Sequence, residues 1–290
     1  MPERQKVAYL GGLGSYSHIG CQMKFPDAEQ VSYCTFADAF SAVQTGECDI
    51  GLVPIENSIA GRVADVHQLL PGSGLFIVGE LFVPINHCLL GKKGATLADI
   101  FEVHSHVQAL SQCGGFLTRH GLKTISAPDT SSAAAKVAGE DNRTFAAIAH
   151  RSVAEIHDLS IIADGIEDFE KNVTRFVVLS RQRSARIDCF AQPITTISFD
   201  LGGSPSNLHN ALGGFADNEI NVTRIESYIS RQTLNSSSFM IDFEGSTDDV
   251  RVRRILERLG KVADEIHLFG TYESAKHALE KSPSLQSHSV

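Results

Sequence analysis

Residues 7–25 read VAYLGGLGSYSHIGCQMKF. An apolar run over 7–11 enters a glycine-rich turn and leaves it as an amphipathic pattern over 17–25. A strand running through such a turn into a helix predicts an α/β protein with a parallel sheet. Glycine lets backbone approach a ligand closely, and free N–H groups at a helix start favour an anion. Ser15 and Ser17 add hydroxyls beside that turn. The segment is not G-x-G-x-x-G and lacks the P-loop lysine, so nothing in it indicates a dinucleotide or nucleotide. From these residues alone a plain turn capped by Ser17, with His18 exposed on the helix, stays open.

Outward from this segment the alternation continues. Apolar runs at 50–54, 75–83, 101–103, 123–126, 146–149, 159–163 and 174–179 predict strands. Helical patterns fall at 36–45, 64–70, 107–119 and 131–138, with helices expected on both faces of parallel sheets. Thr35 before the second helix, with Asp38 three residues on, reads as an N-cap with an acidic first turn. The run 75–90 divides at Pro84 into two strands, a plausible crossover between two lobes with boundaries near 82 and 160. After residue 181 the composition turns charged, so 182–193 reads as a linker. Residues 194–273 then give strand, helix, strand, strand, helix, strand, the βαββαβ order of a ferredoxin-like module. The polar tail, 274–290, reads as disordered.

Composition sets outer limits. The 290 residues are 42% hydrophobic and 20% charged, an ordinary globular balance. A net charge of −9 argues against a general nucleic-acid binder, and leaves any anionic ligand to local dipoles and individual cations. The 6 cysteines form no C-x-x-C pair, which predicts reduced thiols rather than zinc or a disulfide framework. No signal-like N-terminus and no long apolar window is present, so a cytoplasmic location is expected.

Three further stretches carry polar groups at strand ends. Residues 51–58 read GLVPIENS, and Pro54 is expected to end that strand, leaving Glu56, Asn57 and Ser58 as a hydrogen-bonding wall or a helix cap. Residues 103–108 read VHSHVQ, with Ser105 between two histidines that an extended chain would point the same way. No carboxylate-rich partner motif accompanies them, so a metal site is not favoured. Residues 172–180 read NVTRFVVLS, where Arg175 offers a planar fork suited to a carboxylate and Thr174 a neighbouring hydroxyl. An edge strand with an internal salt bridge would read the same way.

Taken together these stretches resemble the prephenate dehydratases. That family carries G-x-x-G-[ST]-[FY]-S, P-I-E-N-S, S-H-x-Q-A-L and N-x-T-R-F. This chain has them at 11–17, 54–58, 105–110 and 172–176 in the same order. Residues 211–215 (ALGGF) and 220–227 (INVTRIES) resemble the family's ACT regulatory domain. The resemblance covers about residues 5–272, and no chorismate mutase helices precede it, which is similar to the monofunctional form.

The resemblance implies a two-lobed, periplasmic-binding-protein-like (type II) catalytic domain over 1–181, followed by an ACT domain over 194–273. It implies decarboxylative dehydration of prephenate to phenylpyruvate in phenylalanine biosynthesis, with no cofactor and no metal. Carried over residue by residue, Thr174, Arg175 and Phe176 would be catalytic. Thr174 would assist the departing hydroxyl and Arg175 would hold a carboxylate. Ser15, Ser17, Glu56, Asn57, Ser58, Ser105, Thr130 and Asn172 would line the cleft. A regulatory site for L-phenylalanine would use Ser206, Asn207, Leu208, Glu226 and Ser227. There the family's G-A-L-V and E-S-R-P read Ser206-Asn207-Leu208-His209 and Glu226-Ser227-Tyr228-Ile229, a departure from the family's pattern at the effector site. ACT pairing implies a homodimer or homotetramer, with neither nucleic acid nor membrane as partner. Arogenate as substrate, giving phenylalanine directly, and a non-catalytic amino-acid sensor are the rival readings.

Overall fold

The computed structural model describes residues 4–169, 171–184, 187–204, 206–229 and 237–276. Along the chain β1 (Lys6–Leu10), α1 (Tyr16–Lys24), β2 (Glu29–Tyr33), α2 (Phe36–Thr45), β3 (Ile50–Asn57), β4 (Gly61–Arg62) and α3 (Ala64–Leu69) come first. Then follow β5 (Phe76–Pro84), β6 (Cys88–Gly91), β7 (Glu102–Ser105), α4 (Val107–Gln112), α5 (Gly114–Arg119), β8 (Lys123–Ser126) and α6 (Thr130–Gly139). The first part closes with β9 (Phe145–Ala149), α7 (Ser152–Ile156), β10 (Ser160–Asp164) and β11 (Val173–Ser180). A sheet in the order β2-β1-β3-β11-β5, with β4 paired to β3, forms one lobe, and β10-β6-β9-β7-β8 forms the other. The chain passes between them after Pro84 and again between β10 and β11.

The apolar spacing explains the second lobe's two faces. Successive strand residues point to opposite sides of a sheet. On β9, Ala147 and Ala149 pack with Ala133, Ala134 and Val137 of α6, whereas Ala146 and Ile148 pack with Ala109, Leu110 and Leu117 of α4 and α5. Helices therefore cover both faces, as the alternation predicts. The pairing is less uniform than expected: β7 pairs parallel with β8 and β9, but β6 pairs antiparallel with β9 and β10.

Two local expectations need correction, and two elements were not expected. The strand of residues 50–57 runs through Pro54 to Asn57. Its paired register with β1 ends at Leu52, so the missing proline N–H removes no bond from that ladder. The helix expected over 107–119 breaks at Cys113, where Gly114 and Gly115 start a new turn. The Asp168 carboxylate accepts from Gly115 N at 3.0 Å, and a Cβ there would stand 2.7 Å from that carboxylate. Finally β2 (EQVSY) and α7 give too little apolar periodicity to be read in advance; β2 is an edge strand with no fully buried residue. The Thr35 cap forms as expected, accepting from Asp38 N at 3.1 Å.

By compactness the chain divides into two units. Of the described residues, those up to His67 and 81–176 form one, and 68–80 with those between 177 and 276 form the other. In the second unit β12 (Pro193–Leu201), α8 (Asn207–Asp217), β13 (Val222–Ile229), β14 (Ser237–Glu244), α9 (Val250–Leu259) and β15 (Ala263–Glu273) follow the expected βαββαβ order. Its antiparallel sheet runs β13-β14-β12-β15, and Ile197, Phe199, Ile241 and Phe243 bury against Ala211, Phe215, Val252 and Ile255 of the two helices. The expectation for the tail lies almost wholly outside the described residues. No helix among the described residues is long and apolar enough to cross a membrane.

Candidate active site

A cavity of about 450 Å³ lies within the first unit, where β1 ends at Leu10 and β3 passes Pro54 and Asn57. The first residues of α1 (Tyr16, Ser17), α2 (Phe36) and α6 (Thr130) open onto it. Helix starts concentrate unpaired N–H groups and partial positive charge, so this arrangement attracts anions locally despite the chain's net charge of −9. The glycine turn is held from the other lobe. Ser131 Oγ donates to Leu13 O, and Gly14, at φ +83°, leaves only 2.6 Å between a would-be Cβ and Val153. Alanine there would be strained in backbone and in contact alike.

One wall carries a chain of buried polar side chains. Asn57 Oδ1 accepts from Ile59 N and Ala60 N at 3.0 and 2.9 Å, which fixes the amide and turns Nδ2 inward as donor. Asn57 Nδ2 donates to Thr174 Oγ1 at 3.0 Å and to Asn172 Oδ1 at 2.7 Å. Asn172 Nδ2 in turn donates to Gln112 Oε1 at 3.0 Å, and His87 Nε2 lies 2.9 Å from the same oxygen. His87 Nδ1 stands 3.2 Å from Tyr16 Oη, which donates to Asn86 O at 2.6 Å. Burial pushes the His87 imidazole down from its ordinary value, against the pull of Gln112 and Glu167, and pushes the Tyr16 phenol well up.

Two consequences follow for the cavity. Because Thr174 Oγ1 accepts from Asn57, its own hydrogen is left to donate elsewhere, and Thr174 lines the cavity. Gln112 also lines it, and its oxygen is taken by two donors, so its –NH₂ is the end left to meet a ligand.

The residues read from sequence fall into two groups. Ser15, Ser17, Asn57, Thr130, Thr174 and Phe176 line the cavity. Ser15 also caps α1, accepting from His18 N at 3.2 Å. Asn172 stands behind Asn57 and holds it. Arg175, Glu56, Ser58 and Ser105 are not cavity residues. Strand alternation explains the first: with Thr174 and Phe176 on the cavity side of β11, Arg175 falls on the other face, where it is buried with bonds of its own. Ser58 is used between strands, its Oγ accepting from Val173 N at 3.0 Å, and Ser105 donates to Ile148 O at 2.6 Å in the second lobe's core. The two histidines of 103–108 part company: His104 is buried against Phe145, while His106 has left the strand, caps α4 and lines the cavity. Among the described residues no three His, Cys, Asp or Glu side chains gather as a metal site.

The cavity also contains residues that the sequence reading passed over: Tyr16, Arg62, His87, Gln112 and Asp129. Gln112 carried a signal, since it lies four residues after Gln108 and shares its helix face. Arg62 is the cavity's guanidinium, delivered by the two-residue β4 paired to the end of β3. In the second unit, Asn207 and Leu208 begin α8 just after Ser206, and Glu226 and Ser227 lie on β13, the edge strand. Glu226 faces Arg224 at 3.7 Å.

The family model described as prephenate dehydratase matches residues 7–184. A bifunctional N-acyl-homoserine lactone acylase/prephenate dehydratase of Komagataeibacter europaeus is 35% identical over 93% of this chain and 96% of its own. Arogenate dehydratase/prephenate dehydratase 2 of Arabidopsis thaliana is 36% identical over 93% of this chain and 73% of its own. Among solved structures, prephenate dehydratase of Arthrobacter aurescens in complex with L-Phe superimposes with a TM-score of 0.86 at 28% identity, covering 93% of this chain and 90% of that one.

Proposed function

Since this chain belongs to the prephenate dehydratase family, we propose that the cavity binds prephenate and converts it to phenylpyruvate, a step in phenylalanine synthesis. In this reaction the bond from ring carbon to carboxylate breaks, carbon dioxide leaves and the bond's electron pair enters the ring. The C–O bond at the opposite ring position breaks with its pair leaving on oxygen, and that oxygen takes a proton to become water. Aromatisation drives both cleavages. The protein has to grip two carboxylates, exclude water and help the hydroxyl leave.

The observation that carries this reading is the Thr174 hydroxyl. Its acceptor side is filled by Asn57, and it lines a cavity onto which helix starts open. Thr174 donates a hydrogen bond to the departing hydroxyl and steadies the charge building there. Asn57 is an amide and supplies no proton, so Thr174 works as a donor of a hydrogen bond, and the departing hydroxide takes its proton from solvent on release. Gln112 and Arg62 receive the carboxylates, and Phe176, Pro54 and Ile85 give the ring an apolar wall.

Arogenate is the second reading, favoured by Asp129, the carboxylate among the described cavity residues, which could meet an ammonium. On the same reading residues 1–181 form the catalytic domain and 194–273 the regulatory one, with L-phenylalanine as effector near α8 and β13. The L-Phe complex of the Arthrobacter relative supports that effector. A homodimer or homotetramer in the cytoplasm completes the proposal. The test is a turnover assay with each substrate, with and without phenylalanine. Neither phenylpyruvate from prephenate nor phenylalanine from arogenate would sink it.

A further inference from the structure

We propose that His87 is a positioning residue that holds the Gln112 side-chain amide with its –NH₂ toward the cavity, setting a donor against an oxygen of the substrate. The proposal rests on the dehydratase reading of this cavity. An amide free to rotate could present either end, and its oxygen would repel a carboxylate. Two donors aimed at one oxygen remove that choice.

The buried chain of amides has one fixed end. Two backbone N–H groups hold Asn57 Oδ1, so Asn57 Nδ2 donates to Asn172 Oδ1. Asn172 therefore has Nδ2 left to donate to Gln112 Oε1. With that oxygen an acceptor, His87 Nε2 at 2.9 Å must carry a proton. Neutral imidazole and imidazolium both satisfy this; only the tautomer with bare Nε2 does not. On the far side Nδ1 faces Tyr16 Oη, itself anchored on Asn86 O, and Tyr16 packs edge-on against His150. Glu167 accepts from the His87 backbone N at 3.0 Å, and its charge favours a protonated ring. Nε2 is thus spent on Gln112, and His87, although it lines the cavity, acts on the ligand through that amide.

Ring-nitrogen NMR on the wild-type protein tests the geometry without any turnover. A protonated Nε2 is expected at His87, and a bare Nε2 would overturn the proposal. If that signal is as expected while prephenate and arogenate are both left unchanged, the dehydratase reading fails and the geometry stands. Kinetics test the role. His87→Phe keeps the bulk without the donor and is expected to lower kcat/KM about tenfold or more, whereas His87→Gln, which keeps a donor at similar reach, should stay within about threefold of wild type. In a Gln112→Ala background, His87→Phe should cost less than about twofold further. Equal losses in the folded Gln and Phe variants, or losses that multiply with Gln112→Ala, would overturn the assignment.

Discussion

Asn57 and Thr174, 117 positions apart in the chain, share a 3.0 Å hydrogen bond in which the amide donates and the hydroxyl accepts. The direction matters more than the contact. A threonine hydroxyl has one proton, and an acceptor in Asn57's place would have drawn it away from the cavity. Strand β3 brings the amide and β11 the hydroxyl, so the sheet order that places these strands side by side orients the donor.

Removing the hydroxyl should therefore cost turnover far more than binding. Thr174→Val keeps the shape and loses the donor; kcat is expected to fall about 100-fold, the scale of a lost oxyanion-type contact, with KM changed little. It also leaves that Asn57 N–H with only the longer, 3.4 Å bond to Val173 O, so stability should drop by about 1 kcal/mol. Thr174→Ser should recover most of the rate. A valine variant that stays folded and keeps more than about a tenth of wild-type kcat would show that Thr174 is not the donor.

Asn57→Asp tests direction alone. The carboxylate can still accept from Ile59 N and Ala60 N, so the turn after β3 persists. It cannot donate to Thr174 or Asn172, and facing Thr174 Oγ1 it would capture that hydroxyl's proton. Expected is a folded protein with kcat lowered at least as much as by Thr174→Val, and little recovery from Ser at position 174. Retained activity in steady-state assays would mean that the amide is only a spacer.

Acid should weaken the fold before it reaches the carboxylates. Burial lowers the imidazoles of His18, His87, His104 and His150 below the ordinary 6.5. The unfolded chain then takes up these protons first, so stability present above pH 6.5 is lost as pH falls below it. Asp99, Glu102 and Asp249 are lowered from carboxylate values and titrate well beneath this window. Thermal melts are expected to show a lower Tm at pH 5.5 than at 7.5. A flat or rising Tm on acidification would contradict the buried, neutral state of these rings.

Much of this site can be read in the sequence because strand ends and helix starts carry local signatures. The glycine turn with Ser15 and Ser17, and Asn57 just past Pro54, announce themselves by polarity interrupting an apolar run. What stays hidden is the face each side chain takes and the partner it meets. Thr174 and Arg175 look equally suited to a dianion in sequence, yet strand alternation sends them to opposite sides. His87 follows an unremarked Asn86, and only the fold reveals the three amides that make it part of the wall. Arg62 sits in a two-residue strand too short for any periodicity.

The two arginines give the sharpest test of that division. Arg62 is exposed and lines the cavity, so its loss should act on substrate capture. Arg62→Ala is expected to raise KM about tenfold, in keeping with one charge-assisted contact, to leave kcat within a few-fold, and, because an exposed group's pairing contributes little, to shift Tm far less than loss of Arg175 does. Arg62→Lys should fall between, because lysine keeps the charge without the planar fork. Arg175 is 9% exposed on the face of β11 turned from the cavity, within bonds of its own. Truncating such a group strands its partners, so Arg175→Ala should lower Tm clearly, and whatever folded enzyme remains should keep its KM. Steady-state kinetics and melts on the two variants separate these outcomes. A raised KM at Arg175 with an unchanged melt, and no effect at Arg62, would restore the carboxylate-binding role to the arginine that the sequence motif suggests.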